Sequence, residues 1–312
     1  MNLLGAAGPG PCSELSALHG LPLIGTAGCY DAVLAFELAP PWTPRLAGSR
    51  ASDAALDAAI ARTGRESKRV RLLALEPDGE PDRARILWFT RQPGSFERFE
   101  RREYIALRRD LGASIERLTL TGSLAEGRVE VADAARDILV CTHGARDACC
   151  GRFGYPLFVR FSQLARRHSD VRVWRTSHLG GHRFAPTLID LPSGRLFGRL
   201  GGDDAEAVLD GGSALLSRVE TIYRGRCALP EAAQIVERRL WLEIGESIEN
   251  ATLAWQVEPS GDRWNVRLEA ICDGGRRHAV QAVVERAASH AITTPTSCGR
   301  DPESEAPWNL VA

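Results

Sequence analysis

The chain has 312 residues, 44% hydrophobic and 25% charged, with a formal net charge of −1. Those are ordinary values for a folded globular protein, and they exclude a disordered, collagen-like or coiled-coil chain. No run approaches the ~18 apolar residues of a spanning helix. The start, MNLLGAAGPGPCSEL, has no positive region before its short apolar stretch, which argues against a signal peptide, so a cytoplasmic location is expected.

Taken in chain order, residues 1–20 are rich in Gly, Pro, Ser and Ala and read as loop. Residues 31–38 read as a strand closed by Ala39-Pro40-Pro41, because proline has no N–H for a ladder. Residues 51–63 are Ala-rich, with Leu56 and Ile60 one turn apart, and predict a helix. Residues 70–75 and 86–90 predict buried strands across a Pro/Gly/Asp loop. The charged run 96–111 reads as mixed helix and loop. Residues 1–133 therefore form an expected N-terminal α/β domain.

A second domain is expected over 134–229. Residues 137–141 (DILVC) predict a strand, and 158–167 a helix with Phe158, Phe161 and Leu164 at helical spacing. Residues 171–174 predict a strand, and 187–189 with 196–200 a hairpin around Pro192-Ser193-Gly194. A helix opens at 204, with Asp203 or Asp204 as its N-cap. Strand, helix, strand, hairpin, helix is the order of a thioredoxin-like fold. Residues 230–312 predict a helix at 231–240 and a small antiparallel β meander at 252–258, 264–272 and 278–285, followed by a tail.

Charge is uneven along the chain. Residues 141–200 hold ten Arg, three Asp, no Lys and no Glu, a net of +7 against −8 for the remainder. The sole Lys is Lys68. A GC-rich genome explains Arg in place of Lys but not this clustering, which is able to steer an acidic partner. The eight cysteines are Cys12, Cys29, Cys141, Cys149, Cys150, Cys227, Cys272 and Cys298. Without a signal peptide a disulfide scaffold is not expected. Clustered cytosolic cysteines more often mark metal or redox chemistry.

Three of those cysteines fall in Cys141-Thr-His143-Gly-Ala-Arg146-Asp147-Ala-Cys149-Cys150-Gly151. Ser177-His178-Leu-Gly180-Gly181-His182-Arg183-Phe-Ala-Pro186-Thr187 follows. The spacings are C-x8-C and H-x3-H. Cys141 ends a predicted strand. Cys150 stands just before a predicted helix, where the dipole and free N–H groups favour a thiolate. His178 and His182 flank two glycines, which let the backbone approach whatever the imidazoles hold. Two thiolates and two imidazoles suit Zn²⁺ or an iron–sulfur centre. Arg146 and Asp147 read either as a surface pair or as supports of the ligands. Cys12, Cys29, Cys227, Cys272 and Cys298 read as small buried residues or incidental thiols.

Other chemistries lack their motifs. There is no C-x-x-C for dithiol exchange, and vicinal Cys149-Cys150 would bridge only with strain. Cys141-Thr-His143 matches half of a Rieske box, but no C-x-x-H follows. Zinc-finger spacing, a phosphate loop, a dinucleotide glycine fingerprint and a G-x-S-x-G elbow are missing.

The two segments together resemble the sucrase/ferredoxin-like family of thioredoxin-like [2Fe-2S] ferredoxins. The likeness is strongest over 137–200 and reaches back through Gly25-Thr26-Ala27 and Pro40-Pro41-Trp42. It implies a thioredoxin-like ferredoxin domain and a [2Fe-2S] cluster held by Cys141, Cys150, His178 and His182, with Cys149 as the alternative to Cys150. It implies a one-electron carrier rather than a catalyst of bond chemistry. Titration of the imidazole N–H groups would couple electron to proton uptake. No sucrase activity is expected, since no paired carboxylates stand in a glycosidase context. By the same analogy Pro186, four residues after His182, is expected to be cis. Arg146, Arg175 and Arg183 would favour the reduced cluster and dock an acidic electron donor or acceptor protein; nucleic acid and membrane partners are not expected. Two rivals stand beside this: a thiol-redox enzyme with Cys149 or Cys150 as nucleophile, and a structural zinc protein.

Overall fold

A computed structural model describes residues 10–66, 69–124, 128–129 and 136–311. Among them, ten strands form one mixed sheet built from two halves. The first half has strands Ala32–Glu37, Val70–Leu75, Arg83–Thr90 and Glu100–Leu107, in spatial order second, first, third, fourth. The first two are parallel and joined by helix Ala54–Glu66, as a parallel pair requires a crossover. The other pairings are antiparallel.

The second half repeats that order and those directions with strands Arg136–Cys141, Val171–Thr176, Thr187–Leu191 and Arg195–Gly198. Helix Ala148–Leu164 makes the crossover, and strand Tyr223–Arg226 extends the edge. The repeat is longer than the periods that mark solenoids, and it shows in strand order rather than in short-range sequence.

The halves join where Val70–Leu75 meets Val171–Thr176. These strands run antiparallel, and their ladder has one register pair, Leu75 with Thr176. They therefore meet end to end, at their C-termini. Around the pair, Glu76 N donates to Arg175 O at 3.0 Å and Ser177 N to Ala74 O at 2.9 Å. Ser177 Oγ accepts from Ala74 N, and Thr176 Oγ1 donates to Ala74 O, both at 2.9 Å. The loops that follow the parallel strands of both halves converge at this place.

A buried ion network ties the halves a second time. Glu103, with its side chain 1% exposed, takes hydrogen bonds from Arg101 at 2.5 Å, Arg172 at 2.9 Å and Arg85. Asp137 takes Arg101 Nε at 2.7 Å, Arg172 Nε at 3.0 Å and Trp174 Nε1 at 2.8 Å. Burial pushes the Glu103 carboxyl up, but the Arg172 and Arg101 forks win and hold it below its ordinary range.

Most predicted elements stand within a few residues of their expected places, and the Ala185-Pro186 bond is cis. The charged run 96–111 differs: Glu100–Leu107 is a strand, because Arg101 and Glu103 are paired inside rather than solvated. The helix expected from 158 begins at Ala148 and carries Pro156 within it. The meander has strands Thr252–Ser260, Arg263–Ile271 and Arg277–Arg286, packed on helix Glu231–Ile244. All eight cysteines are free thiols. No helix among the described residues is long and apolar enough to cross a membrane.

Glu103→Gln leaves three guanidinium groups without their shared carboxylate. Breaking a buried pair from one side typically costs about 3–5 kcal/mol; with Arg172 and Arg85 partly solvated, the low end is expected. Because the folded-state pKa is depressed, Glu103 stabilises fully above its ordinary value of 4.5, and this is lost as pH falls through the folded value. Urea unfolding of wild type and variant from pH 7 to pH 3 checks both points. Equal midpoints and equal pH slopes would contradict the network's role.

Candidate metal centre

Cys141 is the last residue of strand Arg136–Cys141, and Cys150 lies in the first turn of helix Ala148–Leu164. Asp147 caps that helix, accepting from Cys149 N at 2.9 Å. An aspartate here satisfies an orphan N–H of the first turn. The strand end and the helix approach very closely. A Cβ at Gly154 would overlap the carbonyl oxygen of Cys141, and one at Gly151 would lie 2.9 Å from the Cα of Gly144. Glycine at both positions lets the first turn sit directly over the strand end.

Ser177-His178 follows strand Val171–Thr176. Gly180 and Gly181, at φ +92° and +73°, reverse the chain, and His182 opens a short 3-10 turn, His182–Phe184. The donor atoms of Cys141, Cys150 and His178 lie within 4.8 Å of one another, with His178 Nδ1 3.6 Å from Cys150 Sγ. His182 stands beside this group: its ring centroid is 5.0 Å from that of His178. Its Nδ1 is buried and makes no hydrogen bond. A buried polar atom without a partner is costly in a dry site. Two thiols, one adjacent imidazole nitrogen and one unpartnered imidazole nitrogen form a donor set that suits zinc or iron–sulfur ligation.

Cys150 hydrogen-bonds Cys141 and holds its thiol well below the usual range, against burial and with help from His178. The Cys150 thiol is pushed up by the same contact and by burial. Burial also lowers His182 and His143, keeping both rings neutral. His143 Nδ1 accepts from His178 N at 3.2 Å, and its ring meets Trp42 edge-on at 5.6 Å. His143 thus braces the His178 backbone, and Trp42 comes from the other half of the sheet.

Adjacent residues on a helix point about 100° apart. Cys150 faces Cys141 and His178, whereas Cys149 faces Cys12 and Cys298, with Sγ–Sγ distances of 3.6 and 3.3 Å. Cys12 and Cys298 read as incidental in the sequence, but the fold gathers both around Cys149.

The ligand loop has a support the sequence did not reveal. Arg224 is buried, and it donates to Gly180 O at 3.0 Å, Thr26 O at 2.6 Å and Thr26 Oγ1 at 3.1 Å. Burial brings its pKa down to about 10, so it stays charged at neutral pH. Gly25-Thr26-Ala27 was the one local signal, because Thr26 is the partner of this arginine. Arg71 donates to His178 O from the first half.

The arginine cluster is largely neutralised within the fold. Six of the ten arginines in 141–200 pair with carboxylates from outside that segment: Arg152, Arg160, Arg172, Arg175, Arg183 and Arg195. Arg175 reaches Glu76 at 2.9 Å and Arg183 reaches Glu305 at 2.5 Å. Arg146 is exposed, and among the described residues it has no ion-pair partner within 4.0 Å. With Arg45, His143 and His178 it lines a cleft of about 370 Å³ at the junction of the halves.

A family model described as Sucrase/ferredoxin-like matches residues 23–241. The chain is 33% identical over 100 residues to Altered inheritance of mitochondria protein 32 of Debaryomyces hansenii, covering 30% of this chain and 37% of that protein. It is 30% identical over 79 residues to the protein of the same name from Meyerozyma guilliermondii, covering 23% and 28%. The chain thus matches well under half the length of these curated relatives. No solved structure matches.

Gly154→Ala forces the Cys141 carbonyl and the helix apart. Overpacking costs about 1–3 kcal/mol, and against rigid backbone the upper end is expected. The same change displaces Cys141 relative to Cys150. Thermal unfolding measures the first effect and metal content per chain the second. Wild-type stability with unchanged metal content would show that the close approach is dispensable.

Proposed function

We propose that this chain, which belongs to the sucrase/ferredoxin-like family, is a one-electron carrier with a [2Fe-2S] cluster held by Cys141, Cys150, His178 and His182. The observation that carries this is the convergence of Cys141, Cys150 and His178, with the unpartnered, buried Nδ1 of His182 one ring away. The second half of the sheet supports a thioredoxin-like domain around them. Its strands lie in the order fourth, third, first, second, with a parallel first pair.

When bound, such a cluster takes up and releases one electron without bond chemistry on a substrate. Cys141 and Cys150 supply anionic donors, while His178 and His182 supply neutral ones. Replacing two thiolates by imidazoles raises the potential by roughly several hundred mV in Rieske centres. The Arg224 charge, felt at Cys141, favours added negative charge at the site. His143 and Arg71 hold the His178 backbone by hydrogen bonds to its N–H and its carbonyl, which orients the ligand loop. The exposed Arg45 and Arg146 beside the junction cleft suit an acidic electron donor or acceptor protein.

The same donor set suits zinc, and colour separates the two. Protein purified without oxygen should be red-brown, with visible charge-transfer absorbance. Cys141→Ser or Cys150→Ser should abolish that absorbance, because a hydroxyl is a poor ligand where a soft thiolate is needed, and Cys149→Ser should keep it. His178→Cys or His182→Cys should retain the cluster and lower its potential, since each adds a negative charge. A colourless protein, or absorbance lost with Cys149→Ser and kept with Cys150→Ser, would overturn the assignment.

A further inference from the structure

Three thiols outside this ligand set meet on another side of the same helix turn, about 100° around from Cys150. Cys12 opens helix Cys12–Leu18, Cys149 lies in the first turn of helix Ala148–Leu164, and Cys298 comes from the C-terminal stretch. Their Sγ atoms form a triangle with sides of 3.6, 3.3 and 3.6 Å. Asp147 closes the group, with Oδ1 3.8 Å from Cys12 Sγ, and all four donor atoms lie within 4.8 Å of one another.

We propose that Cys12, Cys149, Cys298 and Asp147 bind one Zn²⁺ in a closed, structural site. With Zn–S bonds of about 2.3 Å, a tetrahedron places its sulfur ligands about 3.8 Å apart, close to this triangle. A disulfide would need about 2.05 Å, and three thiols cannot pair among themselves without leaving one over. Three thiolates favour zinc over hard cations such as Mg²⁺ or Ca²⁺. On binding, the three thiols release their protons to solvent and the thiolates take the metal.

The surroundings fit a metal ligand shell. Ser13 Oγ donates to Cys149 Sγ at 3.3 Å, a donor suited to a thiolate. Asp147 is held by Cys298 N at 2.8 Å, Ser297 Oγ at 2.7 Å and Cys149 N at 2.9 Å, so its carboxylate is oriented before any metal arrives. Four protein donors leave no open position for a substrate, which marks a structural rather than a catalytic site. The site fastens residues near both ends of the described chain to the turn that carries Cys150. It uses none of Cys141, Cys150, His178 and His182, so it stands independently of the electron-transfer proposal.

The test is metal analysis of the full chain. Wild type should carry about one zinc per chain, protecting Cys12, Cys149 and Cys298 from alkylation until a chelator removes the metal. Cys12→Ser and Cys298→Ser should each weaken zinc binding at least tenfold and leave the visible absorbance of the neighbouring centre unchanged. Cys141→Ser should lose that absorbance and keep the zinc. If a serine variant does not fold, wild type loaded with Co²⁺ decides, through tetrahedral d–d bands, thiolate-to-cobalt charge transfer and the same alkylation pattern. Zinc retained in both variants, zinc lost only with Cys141→Ser, absence of metal in wild type, or a disulfide among the three cysteines in anaerobic protein would overturn the proposal.

Discussion

The register pair of Leu75 with Thr176 is the point at which two half-sheets become one. Parallel strands leave their following loops at the same end. Because the two innermost strands meet C-terminus to C-terminus, the loops of both halves open into one region. Cys141, His143 and His178 come from one half; Trp42 and Arg71 come from the other and touch His143 and His178. A site built on a single half would lack that bracing. The Glu103–Asp137 network holds the same two halves together away from the site, with several guanidinium groups sharing two buried carboxylates.

Within the second half, close backbone approach governs the chemistry. Glycines at 151 and 154 let the first turn of the helix lie over the strand end. That turn presents successive cysteines to two different environments. Cys150 meets a thiol and an imidazole, and Cys149 meets two thiols and a carboxylate. One turn of helix thus serves two clusters of donors. Asp147 links them, capping the helix and standing 3.8 Å from His182 Nε2.

Much of this was legible in the sequence. The strands at 70–75 and 137–141 are nearly continuous apolar runs, residues 171–174 alternate, and the meander alternates with glycine turns between its strands, so all carry strong signals. The C-x8-C and H-x3-H spacings mark Cys141, Cys150, His178 and His182 because their loops are local. Contacts between distant parts of the chain carried no signal. Cys12 and Cys298 reach Cys149 only through tertiary packing, and Arg224 is recognisable as a support only once Thr26 is beside it. Residues 100–107 misled because charge suggests solvent, whereas Arg101 and Glu103 satisfy each other inside. In the +7 segment, six of the ten arginines find carboxylates elsewhere in the fold, pairings that no local pattern shows.

Nitrogen-sensitive electron paramagnetic resonance on the anaerobically purified, reduced full chain tests the central claim most directly. Ligation by Cys141, Cys150, His178 and His182 predicts the half-integer spin signal of a reduced [2Fe-2S] centre, with hyperfine coupling to two imidazole nitrogens. No such signal, or a signal free of nitrogen coupling, would contradict it.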